Sequence, residues 1–273
     1  MTSFVNDLKT DLRDVFLSTQ FEIKKYIKQK RLLMAVLIAL LLPILFYMVP
    51  LATGGEFAST GDAFASTSLS FITILIILSG AIFAGDAVSG EQEKRTGLLL
   101  YTTPQRRNSI SIGKYLVALI ATYFAVSLFY SVIAIEIIVI YGTVGISLNL
   151  FKSFLIALLY SASVVSIIYF FSSSLKRSII STLLGFFSLF LIFPIVTRVL
   201  SLAQIDPWFI VTHSADLIVN VLGVSGGGFG PGAEFGIASF APEFYLGVTV
   251  MTVYAVIFFL VGIVCANRQQ MEG

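Results

Sequence analysis

Six separate apolar runs, each about as long as a bilayer is thick, constrain this chain more than any other feature. Crossing ~30 Å of hydrocarbon takes roughly 20 helical residues, and Leu32–Leu51, Phe64–Ala84, Tyr115–Tyr141, Ser153–Leu175, Ser178–Thr197 and Phe244–Asn267 all qualify. These runs are continuously apolar and lack the two-residue alternation of barrel strands, so they predict helices. A mean hydropathy of +0.96 with 57% hydrophobic residues excludes an ordinary soluble domain. The expected fold is an all-α integral membrane protein with six transmembrane helices in one domain, 32–267, and a short tail, 268–273.

Placement of the bases sets the expected orientation. Fifteen of the seventeen Lys and Arg residues fall on one face of a six-span arrangement, leaving only Lys152 and Arg198 opposite. By the positive-inside rule that face is cytoplasmic. Both termini and the insert 85–114 are therefore expected on the inner side of the cell membrane. The first 31 residues carry four acids and seven bases, which argues against a cleaved signal peptide. Within that segment, Phe4, Leu8, Leu12, Val15 and Phe16 recur at helical spacing against Asp7, Asp11, Arg13 and Asp14. This pattern predicts an amphipathic helix along the inner surface. Lys24, Lys25, Lys28, Lys30 and Arg31 then gather where the chain enters the bilayer, a position suited to anionic headgroups. On the outer side, 200–243 combines an apolar stretch around Trp208 with the helix-breaking run Gly226–Gly232. That region reads as one or two short interfacial or re-entrant helices, or as an ordinary loop over the helix ends.

Between the second and third runs lies a polar insert, GDAVSGEQEKRTGLLLYTTPQRRNSISI, with Lys114 just beyond it. Its charges alternate at first (Asp86, Glu91, Glu93, Lys94, Arg95) and then turn basic (Arg106, Arg107, Lys114). In a chain with only 12% charged residues, such an insert reads as a docking surface. No GxxxxGK[ST] loop occurs, so the chain has no recognisable nucleotide site of its own. A single histidine, His213, and a single cysteine, Cys265, cannot build a His/Cys metal centre or an internal disulfide. With neither HExxH nor GxSxG present, catalysis by the chain alone is not expected, nor is a metal or other cofactor. The bases hug the membrane without aromatic interleaving, which argues against a nucleic-acid partner.

A route across the membrane is marked only faintly. Glu136 is the one carboxylate inside a run, and Ser181, Phe186 and Phe190 lie in the phenylalanine-rich fifth run. Walls of this kind suit an apolar or amphipathic cargo, although small residues such as Ser181 serve helix packing equally well. Two other readings stay open on the residues alone: an autonomous channel or ion-coupled carrier working through Glu136, and a membrane anchor that recruits a soluble complex through the insert.

The residues Asp86, Glu91-Gln92-Glu93, Thr96, Leu98-Leu99-Leu100, Pro104, Arg107 and Gly113-Lys114 resemble, in order and spacing, the signature of the ABC-2 family of ABC-transporter permeases. Arg95 stands where that family often has glycine, with Gly97 displaced by one place. The resemblance implies a membrane subunit paired with a second permease subunit, as homodimer or heterodimer, above a separate cytoplasmic ATPase that binds ATP and magnesium. It further implies that Asp86, Glu91, Glu93, Lys94, Arg95, Thr96, Pro104 and Arg107 form the ATPase-coupling interface, and that the transporter exports its cargo. Lys114, with the entry bases Lys24 to Arg31, is expected to anchor the inner surface to lipid.

Overall fold

The computed structural model describes residues 2–28, 30–54, 57–93, 107–223 and 240–269. Among them every regular element is a helix, and six helices are long and apolar enough to cross a bilayer. The chain is a multi-pass membrane protein. Helix α1 (Thr2–Lys28) is followed by α2 (Arg31–Thr53), α3 (Gly61–Leu69), α4 (Ile72–Ala84), the short α5 (Ser89–Glu93) and the long α6 (Arg107–Tyr141). After them come α7 (Leu148–Ser174), α8 (Ser178–Phe187) and α9 (Phe193–Leu202), the one-turn helices α10 (Val211–Ser214) and α11 (Leu217–Asn220), and α12 (Phe244–Gln269).

Helices α4 and α7 form the centre. Their membrane windows are 72% and 61% buried, against 17–22% for α2, α8–α9 and α12. The three outer spans thus present apolar flanks to lipid or to another subunit, where lipid tails solvate them as well as protein would. One close approach fixes the core: a Cβ on Gly80 of α4 would lie only 3.0–3.1 Å from Ile168 and Val164 of α7. Buried Leu75, Ile76, Phe83, Ile133, Tyr160 and Tyr169 fill the space around it.

Three features depart from the expected runs. The second run, expected as one helix over Phe64–Ala84, is two helices broken at Ser70–Phe71. Hydroxyls of Ser66 and Thr67 donate to the Ala63 carbonyl, and that of Ser70 to the Ser66 carbonyl, at 2.9–3.1 Å. Such bonds give the backbone an alternative to its regular ladder and favour a bend. The third helix starts at Arg107 rather than near Tyr115. Its 35 residues extend over ~50 Å, so it projects beyond the hydrocarbon. The fifth run widens into a π turn at Ser188–Ile192, closed by the Phe193 N–H on the Ser188 carbonyl. Pro194 follows directly; it has no N–H and would clash with the carbonyl four residues back, and a wider turn relieves both problems.

At one end of the bundle α3 is clasped to the far end of α6. Gly61 comes so near Gly145 that a Cβ there would sit 2.5 Å from the Gly145 carbonyl oxygen. The Ser147 hydroxyl donates to Asp62 at 2.5 Å, and the Tyr141 hydroxyl to the Ala58 carbonyl. The region after Trp208 holds two short helices, whose Val211, Leu217 and Ile218, with Ala215 between them, are buried against the bundle. Residues 224–239 lie outside the described residues. The opposite end carries the entry bases, the start of α6 and the end of α12, where the Asn267 amide meets Asn108 at 2.6 Å.

Candidate functional site

Helix α4 ends at Ala84, and the next nine residues, 85–93, are held by every neighbour they meet. Asp86 accepts two bonds from the Arg31 guanidinium, at 2.5 and 2.6 Å. This fork geometry is the strongest form of carboxylate pairing. Arg31 opens α2, so the pair ties the second span to the first. Glu91 takes the Lys114 ammonium on one oxygen and lies 3.8 Å from the Lys25 ammonium on the other. Lys25 also pairs with Glu22 at 3.1 Å. One carboxylate thus joins α1, α5 and α6. Glu93 accepts the backbone N–H of Ser178 at 3.0 Å, which places a negative charge on the first turn of α8. An anion there satisfies an orphan donor and complements the helix dipole.

A buried hydroxyl cluster sits beneath these charges. Ser89 Oγ lies 2.8 Å from Ser181 Oγ, and Ser181 donates to the Gly85 carbonyl at 2.6 Å. Ser172 Oγ, at the end of α7, accepts from the backbone N–H groups of Val88 and Ser89 at 3.1 and 3.4 Å. Gly85 permits the approach, since a Cβ there would lie 2.9 Å from the Thr182 Cβ. On the other side, the buried Tyr26 hydroxyl donates to the Phe83 carbonyl at 2.6 Å. Burial, reinforced by the nearby carboxylate of Glu22, raises that hydroxyl well above its ordinary pKa and keeps it a donor.

Helix α1 rests along α6 through Gly113, where a Cβ would fall 2.8 Å from the Ser18 Cβ. Its free side carries Phe16, Leu17, Phe21 and Ile27, all exposed. The side chains of residues 2–14, where the amphipathic pattern is clearest in sequence, lie outside the described residues.

The expected site residues fall into three sets. Asp86, Glu91 and Glu93 are brought together with Lys25, Arg31 and Lys114, and each carboxylate meets a group of its own chain. Lys114, expected at the headgroups, is instead 3% exposed. It sits inside the helix junction because Glu91 neutralises it there. Lys24, Lys28 and Lys30 are exposed at the turn from α1 to α2. Lys94, Arg95, Thr96 and Pro104 lie outside the described residues, as does the side chain of Arg107. The pathway candidates are not brought together. Ser181 belongs to the hydroxyl cluster, and Phe186 stacks on Phe190 at 5.3 Å along the fifth span. Glu136 lies near the clasped end, 7% exposed, and neither of its oxygens has a hydrogen-bond partner among the described residues. Sequence reasoning missed Tyr26, Ser89 and Ser172. Only the serine run Ser172–Ser174, at the boundary of an otherwise apolar stretch, could have pointed to them.

A family model described as ABC-2 family transporter protein matches residues 19–194, more than half of the chain. The match takes in the end of α1, the whole 85–114 segment and the fifth span as far as Pro194. No curated protein matches the chain.

Proposed function

The chain belongs to the ABC-2 transporter family, and on that premise we propose that it is the membrane-spanning subunit of an ATP-driven exporter whose power comes from a separate cytoplasmic ATPase. The family is a membrane transport component and not itself a catalyst. ATP and magnesium are bound by the partner, which docks on the segment between α5 and α6, with Lys94, Arg95, Thr96, Pro104 and Arg107 at the contact. In this reading the basic end of the bundle and both chain termini face the cytoplasm, and Lys24, Lys28 and Lys30 lie against anionic headgroups.

One observation carries the proposal: the base of that segment is bonded to α1, α2, α6, α7 and α8 through named polar pairs. A push on a segment held this way is delivered to four of the six spans rather than absorbed by a slack loop. Asp86, Glu91 and Glu93 then serve as the inner side of the coupling interface, holding the segment's root while its tip meets the ATPase. A second permease subunit covers part of the exposed apolar flanks of α2, α8–α9 and α12. The cargo is apolar or amphipathic, in keeping with the stacked Phe186 and Phe190 of the fifth span.

The test is co-purification with the ATPase encoded nearest in the genome. Glu91→Lys is uninformative, because it confronts Lys25 and the buried Lys114 with a third base and removes folded protein first. Lys94→Glu with Arg95→Glu alters the segment's tip instead. Folded protein that keeps both its ATPase and its coupled transport after that double change would sink the proposed interface. Glu136, without a hydrogen-bond partner among the described residues, favours one second reading, an ion-coupled carrier. ATP-independent flux from the reconstituted chain, abolished by Glu136→Gln, would establish it.

A further inference from the structure

The fifth span has an inner half that leaves much of its apolar side uncovered. In α8, Ile179, Leu183, Leu184 and Phe187 are all exposed. Beyond the backbone to either side, α8 touches α7 where Gly185 packs on Ile168, at 3.2 Å from a notional Cβ. It also packs against α4, and its polar contacts go to the root of the 85–114 segment. These are the Glu93 carboxylate on the Ser178 N–H at 3.0 Å, Ser181 on Ser89 at 2.8 Å and on the Gly85 carbonyl at 2.6 Å, and Thr182 against Gly85. The same root also meets α7, but the Ser172 contacts are longer, at 3.1–3.4 Å. Helix α7 is unbroken for 27 residues and packed at the centre of the bundle. Of the two helices, α8 makes the shorter polar bonds to the segment and is the less deeply buried in the bundle.

At its other end α8 runs into the π turn Ser188–Ile192, where the backbone is already wider than a regular helix and Pro194 removes a donor. Wide turns of this kind are where helices bend. We propose that Ser89, Glu93 and Ser181 are positioning residues that clamp residues 178–187 to the coupling segment, so that displacement of the segment tilts this half-span about the π turn. The fifth span is then the first moving wall of the pathway, with Phe186 and Phe187 on the part that moves and α9 beyond the bend. This inference rests on the coupling role proposed above and adds where the motion goes.

Hydrogen exchange on the full chain in lipid nanodiscs tests the clamp without any partner. Glu93→Ala with Ser181→Ala should speed exchange of the 178–187 amides by about tenfold, and leave 195–202 unchanged. Glu93→Gln with native Ser181 should stay near the native rate, because an amide oxygen still accepts the Ser178 N–H. Unchanged exchange at 178–187, or equal acceleration on both sides of the π turn, overturns the clamp. In the complex with the co-purified ATPase, a non-hydrolysable ATP analogue should change exchange at 178–187 in the native protein and not in the double variant. A response of equal size in both overturns the relay. Absence of any co-purifying ATPase would instead sink the coupling role, while the nanodisc measurement still decides the clamp.

Discussion

Arg31 and Asp86, 55 residues apart, meet through two parallel bonds of 2.5 and 2.6 Å at the point where the chain first enters the membrane and the second span leaves it. Both side chains are less than a third exposed. Removing one partner leaves the other charge short of solvent and of a counter-ion. Asp86→Ala should therefore lower stability by roughly 1–3 kcal/mol, and the double variant with Arg31→Ala by less than the sum of the single effects. Thermal unfolding in detergent measures both. Strict additivity would mean that the pair contributes no coupling energy.

How much of this was legible in advance differs by level. Six spans follow from hydropathy, because bilayer thickness imposes a length that few other folds need, and the family follows from the motif over Asp86–Lys114. The pairing was not legible. Glu91 meets bases at Lys25 and Lys114, and nothing in a linear pattern says that a lysine beside a headgroup layer will turn into a helix junction. The break at Ser70–Phe71 and the π turn were hidden for a related reason. Hydropathy averages over a run and does not register hydroxyls that bond to their own carbonyls, nor a proline near the end of an apolar stretch.

Gly113 should prove intolerant of any side chain. A Cβ there sits 2.8 Å from the Ser18 Cβ on a packed face between α1 and α6. Gly113→Val should push α1 away at about 2 kcal/mol or more. Faster proteolysis after Lys24, Lys25 or Lys28, with the spans intact, is the expected readout. An unchanged cleavage rate would mean that α1 is held elsewhere.

Glu136 should be a stability cost. Its two oxygens lack partners among the described residues and it is 7% exposed. Replacing it by leucine should raise the melting temperature in the isolated protein, by a gain of roughly 1–3 kcal/mol. A fall in melting temperature would reveal that the carboxylate holds a partner, such as a bound cation.

Acid should loosen the clasped end through His213. Burial lowers its pKa from the ordinary 6.5, opposed in part by Asp206. As pH falls through 6.5 the unfolded chain takes up a proton that the folded one refuses. That share of the stability declines with acidification and levels off below the folded value, while the buried carboxyl of Asp216, raised to about 7, takes up its proton first in the folded chain and acts in the opposite direction. Melting temperatures between about pH 7 and 5 test this as a difference: the native protein should lose stability relative to His213→Asn as the pH falls. A steeper loss in the variant would contradict the assignment.

The division of the second span into α3 and α4 settles how far a thrust at the inner surface can travel. A rod in two pieces passes neither torsion nor compression from one to the other without bending at the joint. Whatever happens at Gly85 is therefore spent within α4 and its lateral neighbours. Meanwhile α3, fastened to the end of α6 by Asp62 on Ser147 and by Tyr141 on Ala58, follows that helix instead. A displacement at the inner surface therefore reaches α3 by way of α6, which runs unbroken from Lys114 to Tyr141, and not through the joint in the second span.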